Sequence, residues 1–442
     1  MSDSRPLVGL AWPIYIDLFL QFLVSNIGQM MIGRYSSQAV AAIGNANQII
    51  NILNLILFTI AMTSTILIAL RVGSAEHQRA QRIFSTTVMV NVTIGTLLSI
   101  FIVLFHKQLF TLLKVPAELL GLAGDYIVIV GSFLWIQGLF LTLVACLKSF
   151  FMMRQIVLVA VVMNIMAIGG NWLLIDVLGV VGVAWSTIIS RIAGLVILIL
   201  IFRRNVPVSF SFKSLTPFPK NTIIKIFRIG VPMGVEDLSY NIAQFVILVM
   251  INTLGTMEVA ARVYAGILAI FCYLYSSALG QASQVISARL AGSGEIERLN
   301  KQIRKTVLLA ISTVLFTTSL VVIFGKHILL LFTQDKRVIA LVSSVLIVEL
   351  WLEVARTINI IMVRTMQSVG DVNYPVKVGL IAMWTIQVGL SYVLSIVADL
   401  GLLGIWIGMA LDESVRALLF IRRWKKGHWR EIAVRFSASH DE

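Results

Sequence analysis

Apolar stretches of about twenty residues follow one another along almost the whole 442-residue chain, and that length crosses a bilayer as one α-helix. Twelve spans are read from the pattern, at about 7–32, 46–70, 84–105, 124–146, 155–175 and 181–202, then 226–251, 262–288, 305–325, 342–364, 375–397 and 403–421. The expected fold class is therefore an all-α polytopic membrane protein. The one long polar interruption, with Pro207, Pro217, Pro219 and scattered serines, reads as a flexible cytoplasmic linker. The expected division is a six-helix lobe at 1–205, the linker at 206–225, a second six-helix lobe at 226–424 and a basic tail at 425–442.

The two lobes repeat each other. Placing Pro13 on Pro232, a shift of 219 residues, puts Asp17 on Glu236, Ala41 on Ala260 and Arg79 on Arg298. It also puts Gly73-Ser74-Ala75-Glu76 on Gly292-Ser293-Gly294-Glu295, while Leu178–Gly182 falls on Leu400–Gly404 at a shift of 222. Six spans precede the linker, an even number, so the second lobe enters the membrane in the orientation of the first. Two bundles related by a pseudo-two-fold axis along the membrane normal are expected, an arrangement found in secondary transporters.

Composition agrees: the mean hydropathy is +0.94 and 58% of residues are hydrophobic, which excludes an ordinary soluble globule. No cleavable signal peptide is expected, because the first span is too long for one and carries Pro13 and Asp17. Cys146 and Cys272 both fall within spans and imply no disulfide. The net charge of +14 reports topology. About 25 Lys and Arg, among them Arg71, Arg79, Arg82, Arg203, Arg204, Arg298, Arg422 and Arg423, fall on the side of the linker and tail, against about 7 on the other. Both termini are then cytoplasmic and the basic face meets anionic membrane lipid, with no nucleic-acid partner expected. The tail segment Arg422–Arg435, with Trp424 and Trp429, reads either as a helix lying on the inner leaflet or as a solvated tail.

The candidate chemistry lies inside the spans. Asp17 and Glu236 each sit ten residues into a span, ~15 Å deep at 1.5 Å per residue. A carboxylate at that depth costs at least ~2.5 kcal/mol on insertion scales, so each acid should face an internal cavity. Low dielectric disfavours the charged form of a carboxyl, which suits a group that exchanges a proton or releases a cation. A plain hydrogen bond between helices is the other reading of each acid. Asp17, Gln21 and Ser25 share a helix face, as do Glu236, Tyr240 and Gln244, and Asp237, Asn241 and Gln244 form an overlapping stripe. Asn47, Asn51 and Asn54 line one face of the second span, and Asn164 and Asn171 mark the fifth. Amides such as these serve as interhelical glue singly and as a substrate cavity where they converge. Pro13 and Pro232 stand one turn before the acids and are candidate hinges.

Ionisable groups concentrate in the second lobe. Glu353 and Arg356 are spaced to pair, as are Asp412 and Arg416, and Glu349, Arg364 and Glu413 lie on the same two spans. Leu134 and Gln137 stand where Glu353 and Arg356 stand in the repeat. The first lobe is expected to offer Asp17 no basic partner. Neither a phosphate-binding loop, a His/Cys metal constellation nor a nucleophile motif is present in the sequence, so no enzyme is expected.

Several of these pieces together resemble the MATE (multidrug and toxic compound extrusion) transporters, of the MOP flippase superfamily, over essentially the whole length. They are Pro13, Gly33-Arg34 followed by Ala39-Val40-Ala41-Ala42-Ile43-Gly44, the repeated loops at Gly73 and Gly292, Gln281, and Gly370-Asp371 with Pro375. The resemblance implies a V-shaped pair of six-helix lobes in a bacterial cytoplasmic membrane. It implies export of organic cations or other small amphipathic molecules in exchange for Na+ or H+, by a monomer without a further cofactor. Glu236, Asp17, Glu353 and Arg356 are the candidate coupling residues, with a possible Na+ at Glu236. The chain departs from the family pattern: Gly28 replaces an acid of the first span, Glu236 lies nearer its proline than the usual Glu, and Arg356 stands for the usual tenth-span Asp. The coupling site is thus remodelled, and both ions stay open. A flippase for lipid-linked saccharide or peptidoglycan precursor is the alternative, disfavoured by an acidic, amide-rich cavity. A major-facilitator transporter lacks its loop motif here, and a membrane-embedded enzyme or receptor lacks a catalytic constellation.

Overall fold

The computed structural model describes residues 7–331 and 333–438. Residues 1–6 of the expected first lobe and 439–442 of the expected tail lie outside the described residues. Every regular element among the described residues is helical: α1 (Leu7–Tyr35), α2 (Ser37–Gly73), α3 (His77–Leu112), α4 (Leu120–Ser132), α5 (Leu134–Ser149) and α6 (Met153–Asn205), then α7 (Lys220–Leu254), α8 (Thr256–Gly292), α9 (Ile296–Leu329), α10 (Lys336–Ser368), α11 (Asn373–Ala382), α12 (Gly401–Lys425) and α13 (His428–Ala438). Beyond α11 the chain continues in two π-helical segments, Met383–Leu390 and Val393–Val397. Nine helices among the described residues are long and apolar enough to cross a membrane. Ala117–Ser132 with Leu134–Ser149, bent by 48°, makes a tenth if the pair is one span.

That bend divides the segment expected as one straight span at 124–146 into two helices. The break, at Phe133 (φ −109°, ψ 21°), directly follows Gly131-Ser132, a pair of the kind that permits a kink. A backbone amide released by a bend must find a partner in the membrane, and Leu134 N donates to Ser99 Oγ of α3 at 3.2 Å. The expected spans at 155–175 and 181–202 run together as α6, whose 53 residues would extend ~80 Å if straight, far beyond a ~30 Å hydrocarbon core. Gly179, with φ 57° and ψ −133°, breaks it. Its repeat counterpart Gly401 is also left-handed, at φ 53°. The repeated loops match in the same way: Ala75 (φ 60°) and Gly294 (φ 75°) occupy the same left-handed turn position. Glu76 there pairs with Arg79 at 3.1 Å and Glu295 with Arg298 at 2.8 Å.

By packing, the chain forms two compact units, one of Ile16–Val231 and one of the residues up to Tyr15 together with those from Pro232 on. Each division falls beside one of the two candidate hinge prolines, inside α1 and α7, and both helices continue through the proline. In the Ile16–Val231 unit, Ile43, Leu57, Ile102, Ile127 and Ile188 join one apolar core. Small and hydroxyl residues let its helices approach closely: Ser64 Oγ lies 2.6 Å from Thr87 Oγ1, and Asn91 Nδ2 donates to Thr142 Oγ1 at 2.9 Å. The linker segment touches its own unit, with Val208 buried, Ser211 N donating to Ser85 Oγ at 3.2 Å and Arg82 to the Pro217 carbonyl at 3.0 Å. In the other unit Ile247, Leu268, Val345, Leu352 and Ile405 form the core, and Ser276 Oγ meets Thr357 Oγ1 at 2.6 Å.

The tail forms α13, and its tryptophans pack inward against their own unit. Trp429, 1% exposed, stacks on Trp424 at 3.9 Å and donates to the Trp424 carbonyl at 3.0 Å. Trp424 Nε1 in turn donates to Asn300 Oδ1 at 3.0 Å. Further along α13, Phe436 lies against Gly370, in the loop that Asp371 fastens to Arg423 through contacts of 2.9 and 3.2 Å. The tail's aromatic residues thus serve its own unit. Gly370 has φ 89°, and a Cβ there would stand 2.6 Å from Phe436 Cγ. Gly370→Ala should therefore loosen α13, exposing Lys425, Lys426 and Arg430 to trypsin faster than in the unaltered protein. Equal cleavage rates would show that α13 is not held by this contact.

Candidate functional site

The unit that contains Pro232 and the residues after it gathers most of the buried charge. Helical spacing puts Glu349, Glu353 and Arg356 on one face of α10, and Asp412, Glu413 and Arg416 on one face of α12. Arg356 pairs with Glu353, as their spacing predicts. Its Nη1 also lies 3.7 Å from Glu349 Oε1, and its Nε lies 3.7 Å from Glu413 Oε1. Glu413 passes the chain on to Arg416 at 3.1 Å, and Arg416 to Asp412 at 2.5 Å. Two neutral donors complete the frame: Trp406 Nε1 donates to Glu349 Oε2 at 2.6 Å, and Asn359 Nδ2 donates to Glu413 Oε2. Glu353 and Asp412 are both 0% exposed, yet Glu353 Oε2 and Asp412 Oδ1 have no hydrogen-bond partner.

Beside this network lies a cavity of roughly 150 Å³, lined by Glu236, Asp237 and Tyr240 of α7 with Arg356, Arg364, Glu413 and Arg416. Glu236 lies in the fields of Asp237, Arg416, Arg364 and Glu413. Its carboxylate stands over Gly379 of α11, where a Cβ would come within 3.1 Å of Oε1. Tyr240 and Gln244 line a neighbouring cavity together with Arg356. Asn241, by contrast, is exposed and donates to the Asp237 carbonyl at 2.7 Å, so it belongs to the helix surface. Counting Glu236 and Asp237 with Glu349, Glu353, Asp412 and Glu413 gives six acids against Arg356, Arg364 and Arg416. The site is therefore negative unless cations enter it, and buried charge without compensation is costly. A site of this composition is suited to taking up and releasing a cation.

The Ile16–Val231 unit places its candidates more loosely. Asp17 is hydrogen-bonded by Gln21 and lies in the field of Lys148, which corrects the expectation that it lacks a basic neighbour. Gln21, Ser25 and Asn51 are exposed on the unit's surface. Asn47 Oδ1 accepts from Tyr126 Oη at 3.3 Å. Asn54 Oδ1, Asn164 Nδ2 and Asn171 Oδ1 are buried without partners. Sequence reasoning passed over Arg191, whose Nη1 is buried and unpartnered beside Tyr126. The signal was available: at the shift of 222 residues, Arg191 falls on Glu413. Among the described residues no three His, Cys, Asp or Glu are arranged to hold a metal ion.

A family model described as MatE matches the chain twice, over residues 13–173 and 232–393. The two matches begin at Pro13 and Pro232, the pair that aligns the repeats. An uncharacterized transporter of Bacillus subtilis, YisQ, is 31% identical over 429 residues, covering 96% of this chain and 94% of its own length. A probable multidrug resistance protein of Thermotoga maritima, NorM, is 23% identical over 447 residues, covering 97% and 94%. Among solved structures, a MATE protein crystallised in the bent conformation superposes with a TM-score of 0.89 at 19% identity, over 98% of this chain and 96% of its own. A MOP superfamily transporter from Pyrococcus furiosus, described by the reverse polarity of its binding pocket, gives 0.85 at 19% identity and 96% coverage of each. At these identities the structural likeness establishes the fold alone.

Removing Arg356 would leave Glu349, Glu353 and Glu413 facing one another without their shared cation. Breaking a buried pair typically costs ~3–5 kcal/mol, so Arg356→Ala should lower both folded yield and the melting temperature in detergent. Adding Glu353→Gln to that variant should restore part of the loss. Normal yield and melting in Arg356→Ala would show that the network contributes nothing to stability.

Proposed function

The chain belongs to the MatE family, and on that premise we propose that it is a secondary active exporter of organic cations or small amphipathic molecules, driven by cation antiport through alternating access. The observation that carries the reading is Glu236, a cavity-lining carboxylate within a span, beside a network in which acids outnumber guanidiniums. Relatives named as multidrug resistance proteins, over nearly the whole length, supply the substrate class. The proposed membrane is a bacterial cytoplasmic membrane, with both termini on its cytoplasmic side and the protein acting as a monomer. Twelve spans follow when α4 and α5 form one bent span, α6 two spans meeting at Gly179, and the charged α12 one more.

Of the two driving ions, the geometry favours the proton. Arg356 and Arg416 already occupy oxygens of Glu353, Glu413 and Asp412, which leaves few free oxygens together for the coordination shell of a metal ion. A proton needs a single oxygen, and Glu353 Oε2 and Asp412 Oδ1 are buried without any partner. In this reading Glu236 exchanges the driving cation, because it lines the cavity while Glu353 lies sealed behind Arg356. Binding the ion and binding a cationic substrate exclude each other at one negative site, which is what exchange requires. Asp17, with Gln21, is the secondary acid of the other repeat. Tyr240, Gln244, Asn47, Asn164 and Asn171 supply polar contacts, and Pro13 and Pro232 the bending points.

Purified protein in liposomes with an imposed pH or Na+ gradient tests this. Glu236→Gln keeps the side-chain shape but removes its charge change, so it should abolish gradient-driven export while expression stays normal. Asp17→Asn should leave a measurable fraction of the export rate. Unchanged, gradient-dependent export by Glu236→Gln would place coupling at another acid.

A further inference from the structure

A second cavity of the same unit, roughly 470 Å³, shares Tyr240, Tyr273 and Arg356 with the acid-lined one, so these three side chains stand between the two. Its volume lies within the ~300–1,000 Å³ range of small-molecule sites. Most of its surface is apolar, from residues such as Ile247, Ile270, Leu352 and Met409, with Gln244 and Arg262 among its polar groups. Glu349 reaches it too, but that carboxylate already receives Trp406 Nε1 at 2.6 Å and faces Arg356 at 3.7 Å. Arg262 is different. It makes no hydrogen bond or ion pair with any described residue. A guanidinium keeps its charge under all ordinary conditions and offers a planar fork of donors matched to a carboxylate. Set at the edge of an apolar chamber without an acid of its own, it is a donor awaiting an acceptor.

We infer that this chamber binds the carboxylate end of an amphipathic substrate, with Arg262 and Gln244 as donors and the apolar body against Ile247, Ile270 and Met409. The inference rests on the exporter reading only in calling the ligand a substrate. Its charge preference is opposite to that of the acid-lined cavity. A molecule with both an amine and a carboxylate therefore finds a matching site for each end within one unit.

Rhodamine B and its ethyl ester test this directly, because they share the cationic ring system and differ in one free carboxylate. Fluorescence anisotropy of each dye with purified full-length protein gives the two affinities. The unaltered protein should prefer rhodamine B by about tenfold, the scale of one charge-assisted hydrogen-bonded contact. Arg262→Gln should remove that preference while leaving the ester's affinity unchanged, which also shows that the variant is folded. No preference in the unaltered protein, or a preference that survives Arg262→Gln, overturns the proposal. Displacement of rhodamine B by phosphatidylglycerol but not by phosphatidylcholine would assign the chamber to a lipid headgroup and overturn it as well. The exporter reading fails separately: a protein that exports no dye along any gradient yet binds rhodamine B through Arg262 refutes that reading and keeps this one.

Discussion

Charge compensation in a low-dielectric interior is the constraint on which the Pro232-side unit depends. Arg356 is the pivot. One guanidinium is approached by Glu353 from its own helix turn, by Glu349 from two turns away and by Glu413 from α12. An interior arginine is tolerated only with such partners, and the partners are tolerated only with it. The same requirement recruits neutral donors, Trp406 to Glu349 and Asn359 to Glu413. It also explains why α12 falls short of an apolar span: Asp412, Glu413 and Arg416 occupy its middle. What the network leaves unsatisfied is informative in turn, since surplus carboxylate oxygen is where a mobile cation can be accommodated.

The duplication is kept at particular turns of the backbone and abandoned in the charges, and the break at Phe133 has no counterpart in the continuous α10. Gly179, inside α6, and Gly401, at the start of α12, both take a positive φ, and Ala75 and Gly294 turn their loops alike. Each of those loops closes with a Glu–Arg pair three residues apart. The chain reversals at these positions have to be made in both repeats, so their geometry is shared. Side chains facing the interior have no such obligation. Leu134 and Gln137 stand opposite Glu353 and Arg356, and Arg191 opposite Glu413. The two repeats thus share these turns and differ in their interior charges.

Helical class, the approximate spans, the repeat and the pairing of Glu353 with Arg356 were all legible in the sequence, because each depends on spacing along one helix or on composition. What escaped depends on contacts between elements. The bend at Phe133 follows Gly131-Ser132, a pair that permits a kink, but Ser99, on another helix, captures the freed amide. Trp424 and Trp429 are amphipathic enough for a leaflet, but here Trp424 donates to Asn300 and the two rings stack on each other. Lys148 reaches Asp17 across helices, a proximity that no periodicity encodes. Asn241 shares a stripe with Asp237 and Gln244 yet lies on the surface, because a stripe 100° wide spans both the buried and the exposed edge of a helix. Helical spacing thus identifies which side chains share a face, while only packing decides which face is inside.

Arg356 also lines both cavities, as do Tyr240 and Tyr273. Its position is set by a balance among Glu349, Glu353 and Glu413, so a cation that neutralises one of them changes the field in both chambers at once. The reverse holds equally: an anion drawn toward Arg356 from the larger chamber weakens its hold on those acids. Such reciprocity is a thermodynamic necessity whenever two sites share a group. It needs no displacement of whole helices, only the redistribution of one guanidinium among competing carboxylates. In this unit, therefore, α7, α8, α10 and α12 contribute side chains to a single electrostatic assembly rather than to two independent pockets.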